Sequence, residues 1–170
     1  MQLDWLGSYR KIVADYYRSA NGYSQICKTE MFGINVKFSP YEVQIMEHIM
    51  EHADENRNMK WYAEQLGLSQ ATYSKYVRKL VSKGLLEKYH TEDNQKNIIL
   101  QVTDLGLREY EGYVQKIREE NFVKLFSYWD TLSPEQLEAV RMSFSIWGGF
   151  HGEFGNQTSK ERAIRLIKIK

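Results

Sequence analysis

Lys75, Arg78, Lys79 and Lys83 lie between Ser69 and Lys83 with no acidic residue among them, in a chain whose formal net charge is only +1. The basic excess is therefore local. At about 100° per residue, Tyr73, Tyr76, Val77 and Leu80 fall on one side of a helix, and Ala71, Lys75, Arg78 and Ser82 on the other, with Ser74 and Lys79 on the flanks. To enter a major groove, a helix needs cations that neutralise phosphates and small or amide side chains that let its backbone approach base edges. A solvated amphipathic helix shows the same pattern, so the choice rests on what flanks it.

Three other groups invite a chemical reading. His48-Ile49-Met50-Glu51-His52 matches H-x-x-E-H, in which two histidines one turn apart hold zinc and the glutamate serves as base. That would make the chain a metal-dependent sensor or hydrolase. No third protein ligand is identifiable and the chain is small for a protease, so a solvated helix end is favoured, with His48, Glu51 and His52 kept as metal candidates. The single Cys27 can form neither an internal disulfide nor a multi-thiolate site. It is either a redox-sensing thiol or an inert one, and the inert reading is favoured. His151-Gly152-Glu153 lacks the paired downstream cysteines of a deaminase, and Gly148, Gly149, Gly152 and Gly155 follow no strand, so neither is a catalytic or phosphate-binding motif. No catalytic activity and no cofactor are expected.

The elements that would carry these residues are mostly helical. Leu3 to Cys27 reads as a first long helix, with Leu6, Tyr9, Ile12, Val13, Tyr16 and Tyr17 at three- and four-residue spacing. A loop around Gly33 and Asn35 ends at Ser39-Pro40-Tyr41-Glu42, where a capping serine, a first-turn proline and an acid start a second helix that runs to about Ala53. A short helix from Lys60 to Leu66, a tight turn at Gly67 and the basic helix from Ser69 to the stop at Gly84 form a helix-turn-helix. The period then changes: Leu85 to Tyr89 and Asn97 to Val102 bracket a polar turn, Thr91 to Lys96, as a β-hairpin. Thr103-Asp104 caps a helix that extends to near Trp129, and Ser133-Pro134-Glu135-Gln136 starts the last main helix with Gln136 in the capping-box position. The tail from Lys160 is short, basic and amphipathic, with Ile164, Leu166, Ile167 and Ile169.

Composition agrees with this order. At 170 residues, 42% hydrophobic and 14% aromatic, the chain can bury a real core, and its two prolines suit a mainly α fold. No apolar run approaches the roughly 20 residues of a membrane helix. The start, MQLDWLGSYRK, lacks the apolar core of a secretory signal. A cytoplasmic protein with no membrane partner is expected.

The segments FSPYEVQIMEHI, AEQLGLSQATYSKYVRKLVSKGLLEK and NIILQVTDLGLREYE resemble, in order and spacing, the MarR family of winged-helix transcriptional regulators. The last of them carries that family's L-T-x-x-G-like helix start. The likeness covers Phe38 to Glu111 well and the flanking helices by pattern only. It implies a mainly α fold with a small β-hairpin wing, a winged helix-turn-helix joined to long dimerisation helices. Residues 1-36 would form an N-terminal dimerisation helix and loop, 37-103 the DNA-binding lobe, and 104-170 the C-terminal dimerisation helices and basic tail.

Carried over position by position, the resemblance implies that Ser69, Gln70, Thr72, Ser74, Lys75, Arg78 and Lys79 face double-stranded DNA. Where the family's wing shows Asp-x-Arg, this chain has Asn94 and Lys96. The wing cation is kept as a lysine, without arginine's planar fork, and Asp93 braces it only after a one-residue shift. The resemblance also implies a homodimer acting as a repressor on a pseudo-palindromic operator, and a pocket for a small aromatic or amphipathic effector, for which Tyr16, Tyr17, Trp61, Tyr62 and Tyr113 are the candidates. The alternative from another class is a winged helix that grips a protein partner through Tyr73 or Tyr76 and the wing.

Overall fold

A computed structural model describes residues 4–91, 94–148 and 166–168. The element order is α1 (Arg10–Ile26), β1 (Met31–Phe32), β2 (Lys37–Phe38), α2 (Pro40–Glu51), α3 (Met59–Gln65), α4 (Gln70–Ser82), β3 (Leu86–Thr91), β4 (Asn94–Val102), α5 (Asp104–Ile117), α6 (Val123–Trp129), α7 (Pro134–Gly148) and β5 (Leu166–Lys168). It is a mainly helical winged helix-turn-helix, as expected from the sequence.

The helix starts are set by side chains that satisfy otherwise orphaned backbone donors. At α2, Ser39 Oγ accepts from the Glu42 N–H and Glu42 Oε2 accepts from the Ser39 N–H at 2.7 Å, a complete capping box with proline in the first turn. Asn58 caps α3, Ser69 caps α4 and Thr103 caps α5 in the same way. Between α3 and α4, Gly67 sits at φ 62°, a left-handed turn conformation that a β-carbon disfavours. The Thr103 hydroxyl also donates to the Gly84 carbonyl at 2.7 Å, and a β-carbon on Gly106 would come within 2.4 Å of the Leu85 carbonyl oxygen. The T-x-x-G start of α5 is thus a close-packing requirement against the strand that leads into the wing.

One apolar core, including Phe38, Ile45, Met46, Ile49, Tyr73, Val77, Leu80, Leu85, Leu86 and Leu100, joins α2, α3, α4, the β3–β4 hairpin and α5. Tyr73, Val77 and Leu80 are each 0% exposed, so the apolar side of the basic helix is the side that packs. Residues of α1, α6 and α7 contribute nothing to this cluster and leave Ile12, Tyr17, Phe126, Phe144 and Ile146 exposed.

The structure departs from the sequence expectations in five places. The first helix is broken: a 3-10 segment, Asp4–Tyr9, kinks at Gly7 (φ 49°) before α1 begins. The loop before Ser39 contains a small antiparallel pair, β1 with β2. The turn expected over Thr91 to Lys96 is shorter, because β3 continues to Thr91 and β4 starts at Asn94; main-chain pairing extends the strands without needing apolar side chains there. The single helix expected from Thr103 to Trp129 is α5 and α6 joined by a π-helical turn, Arg118–Phe122. From the tail, Leu166–Lys168 forms β5, antiparallel to β3 with Leu166 opposite Thr91 and Lys168 opposite Tyr89. Ile164 and Ile169, like His151 to Gly155 and Asp93, lie outside the described residues.

Candidate nucleic-acid interface

Because Tyr73, Val77 and Leu80 fix the rotation of α4, the opposite side must face outward. Ser69, Gln70, Ala71, Lys75, Arg78 and Ser82 are exposed, and Thr72, Ser74 and Lys79 stand half-buried on its shoulders. The structure brings seven of the expected DNA-facing residues onto this one surface. The eighth, Lys96, is on β4 next to the wing turn, and its side chain lies outside the described residues.

The cations on this face are held ready rather than neutralised. Among the described residues no carboxylate pairs with Lys75, Arg78 or Lys79; their contacts are with a ring and a carbonyl. The ammonium groups of Lys75 and Lys79 lie 5.9 and 5.6 Å from the centroid of Tyr76. Arg78 Nε donates to the Ser74 carbonyl at 3.4 Å. Tyr76 in turn packs on Tyr41 with centroids 5.0 Å apart. It is thus a half-buried platform for two cations, a role that its place in the apolar stripe concealed but that its spacing of three from Lys79 signals. Burial, followed by the fields of Cys27 and Glu42, raises its phenol pKa, so the ring stays neutral.

Two residues carry more local duty than their exposure suggests. Ser69 Oγ accepts from the Thr72 N–H at 3.1 Å, and the two hydroxyls share a hydrogen bond of 2.8 Å. Both side chains therefore hold the start of α4 before any ligand arrives. Lys83, counted in the basic run, instead donates to Glu42 Oε1 and to the Lys37 carbonyl, each at 2.7 Å. It belongs to the scaffold.

The five aromatic candidates for an effector pocket fall into three separate groups. Tyr16 stacks on Trp147 with centroids 4.1 Å apart, and Tyr17 meets the same indole edge-on. Trp61 and Tyr62 pack beside His48, and Tyr62 is pushed up to about 12 by burial and then by Glu55. Tyr113 lies against Phe38 in the core. An open pocket on α5 and the π turn is lined by Tyr110, Val114, Arg118 and Val123, none of them in that set.

His48, Glu51 and His52 each offer one donor atom within 4.8 Å of the others. Burial and then the neighbouring His52 push the His48 imidazole pKa down. Cys27 is 3% exposed, which shields its thiol from solvent oxidants in the folded chain. No helix among the described residues is long and apolar enough to cross a membrane.

Residues 38–106 match the family model described as a winged helix DNA-binding domain. A curated relative, the uncharacterized HTH-type transcriptional regulator YfiV of Bacillus subtilis (strain 168), is 26% identical over 84 residues, 49% of this chain and 50% of that protein. The chain thus spans about half the length of the curated relative it matches. Among solved structures, the fold is similar to that of ZitR from Lactococcus lactis, described as a zinc-responsive MarR family member, at TM-score 0.54 and 16% identity over 82% of this chain and 96% of that one. PcaV from Streptomyces coelicolor in complex with its natural ligand gives TM-score 0.55 at 19% identity, covering 84% and 92% of the two chains. The S. aureus MepR–DNA complex gives 0.52 at 17% identity, covering 86% and 94%.

Proposed function

We infer that this chain, with a winged helix DNA-binding domain at residues 38–106 in a fold of the MarR type, is a transcription regulator that binds double-stranded DNA through the outward face of α4. The observation that carries the reading is the cationic surface of Lys75, Arg78 and Lys79, which no carboxylate among the described residues pairs, beside Gln70, Thr72 and Ser74. The cations meet phosphates and the uncharged side chains reach base edges. Lys96 adds a wing contact.

We propose further that the regulator is a homodimer and a repressor acting in the cytoplasm. Trp5, Tyr9, Ile12, Phe144 and Ile146, each more than half exposed, are the large apolar side chains that a second copy would cover. A two-fold dimer sets its two recognition helices about 34 to 36 Å apart along the duplex, matching one helical turn. A small aromatic or amphipathic effector that changes this spacing weakens binding, because both half-sites must be met at once. Regulation of this kind needs binding and no catalytic step.

Selection of bound sites from a random duplex library tests the reading. Recovered sites are expected to be palindromic with half-sites one turn apart. Failure to enrich any sequence would favour the protein-interaction alternative.

A further inference from the structure

At the C-terminal end of α2, two imidazoles and a carboxylate share one side of the last helical turn. His48 and His52 are four residues apart and Glu51 lies between them, so their side chains project together. The rings of His48 and His52 are 4.6 Å apart between centroids, and His48 Nδ1 stands 3.6 Å from Glu51 Oε2. One donor atom from each of the three lies within 4.8 Å of the others. Tetrahedral zinc with nitrogen and oxygen ligands at about 2.1 Å needs donors roughly 3.4 Å apart, so small side-chain rotations close the set.

The surroundings are those of a ligand set rather than of a solvated helix end. His48 Nε2 is buried and has no hydrogen-bond partner among the described residues. Whichever tautomer the ring adopts, that nitrogen lacks the partner it needs among the described residues. The second imidazole is already oriented: Glu55 Oε1 lies 2.8 Å from His52 Nδ1, which makes Nδ1 the donor and leaves the Nε2 lone pair free. Glu55 is itself held by Arg57, whose Nε donates to Oε2 at 2.7 Å. This carboxylate therefore stands behind a histidine, as outer-sphere carboxylates do at metal sites, and it offsets the guanidinium charge nearby. Trp61 closes one side, parallel to the His48 ring at 5.5 Å and edge-on to His52 at 4.9 Å.

We propose that His48, Glu51 and His52 bind a divalent transition-metal ion of the zinc class, with Glu55 positioning His52 and a water or small anion completing the coordination. Imidazole and carboxylate donors suit such ions, whereas an all-oxygen site would be needed for calcium or magnesium. Every ligand lies at the α2 terminus, and Trp61 of α3 walls the site without coordinating the ion. The site is chemically separate from the α4 surface, so its test does not involve DNA.

The test is calorimetric titration of the full-length, tag-free protein with Zn2+, with Trp emission followed as Ni2+ is added. One Zn2+ per chain is expected, together with quenching that Trp61→Phe abolishes. His48→Ala and His52→Ala should each weaken zinc binding by at least about tenfold, and Glu55→Gln by about tenfold. Glu51 is 71% exposed, so Glu51→Gln supplies a ligand deletion that leaves the fold intact; it too is expected to weaken binding. His90→Ala and Cys27→Ser are expected to bind as the wild type does, and thermal melts without metal confirm that each variant is folded. Absence of a one-to-one site, or full zinc affinity in the His48→Ala/His52→Ala double variant, would overturn the proposal.

Discussion

Lys83 Nζ donates to Glu42 Oε1 at 2.7 Å, fastening the C-terminal cap of α4 to the first turn of α2. Glu42 is 0% exposed and its other oxygen already caps α2. A basic residue at the end of the recognition helix is thereby withdrawn from the DNA surface and used to fix that helix on the core. Glu42→Ala removes the carboxylate half of the capping box and leaves Lys83 with only the Lys37 carbonyl and, at 3.8 Å, Glu30. A loss of about 1–3 kcal/mol is expected, read from urea denaturation midpoints. A loss below about 1 kcal/mol would mean that the pair does not anchor the helix.

Ser69 serves both as cap and as part of the outward face, and the two roles separate on substitution. Ser69→Ala is expected to cost about 1 kcal/mol of stability. Ser69→Asp keeps the cap, because aspartate accepts the same Thr72 N–H, but it sets a negative charge among the phosphates. Its denaturation midpoint should stay near wild type while its duplex affinity falls. Unchanged affinity in Ser69→Asp would place the start of α4 away from the DNA backbone.

Glu109 makes stability pH-dependent. The carboxylate is 1% exposed and accepts from the backbone N–H of Asn35 and Val36 and from the Asn35 amide. Burial works to raise its pKa, but these donors outweigh it and hold the carboxyl below the usual range. A carboxyl that titrates lower when folded adds stability above its unfolded value of about 4.3, and that stability is lost as pH falls through the folded pKa. Glu109→Gln should be less stable at neutral pH and lose less on acidification. Denaturation midpoints from pH 7 to pH 3 check this, and parallel curves for the two proteins would contradict it.

Phe144 and Ile146 on α7 are 57% and 62% exposed, and neither belongs to the core cluster. Phe144→Glu with Ile146→Glu is expected to convert a dimer into a monomer, measured by sedimentation, while the winged-helix lobe keeps its far-ultraviolet dichroism. A wild-type protein that sediments as a monomer would remove the dimer from the account.

Structure that is specified locally is legible in the sequence. Ser39 with Glu42, Ser69, Thr103 and Ser133 with Gln136 are caps written within four residues, and each starts a helix at that point. The rotation of α4 was equally legible, since Tyr73, Val77 and Leu80 recur at helical spacing. What stayed hidden depends on distant partners. The β1–β2 pair is held through Asn35 and Val36 by Glu109, more than seventy residues on. Nothing near Lys83 announces Glu42 on another helix. The π turn at Arg118–Phe122 interrupts a pattern that keeps its helical period on both sides. At the α2 terminus the H-x-x-E-H spacing was visible, but the contributions of Trp61 and Glu55 needed the fold.

The salt dependence of duplex binding tests the central claim most directly. Affinity for a nonspecific duplex, measured by fluorescence anisotropy over a series of salt concentrations, gives a slope that counts neutralised phosphates. Lys75→Ala with Arg78→Ala is expected to weaken binding and to reduce that slope by about one for each cation removed per bound protomer. A double variant that binds as tightly as the wild type, with the same slope, would contradict the assignment of α4 as the DNA-reading helix.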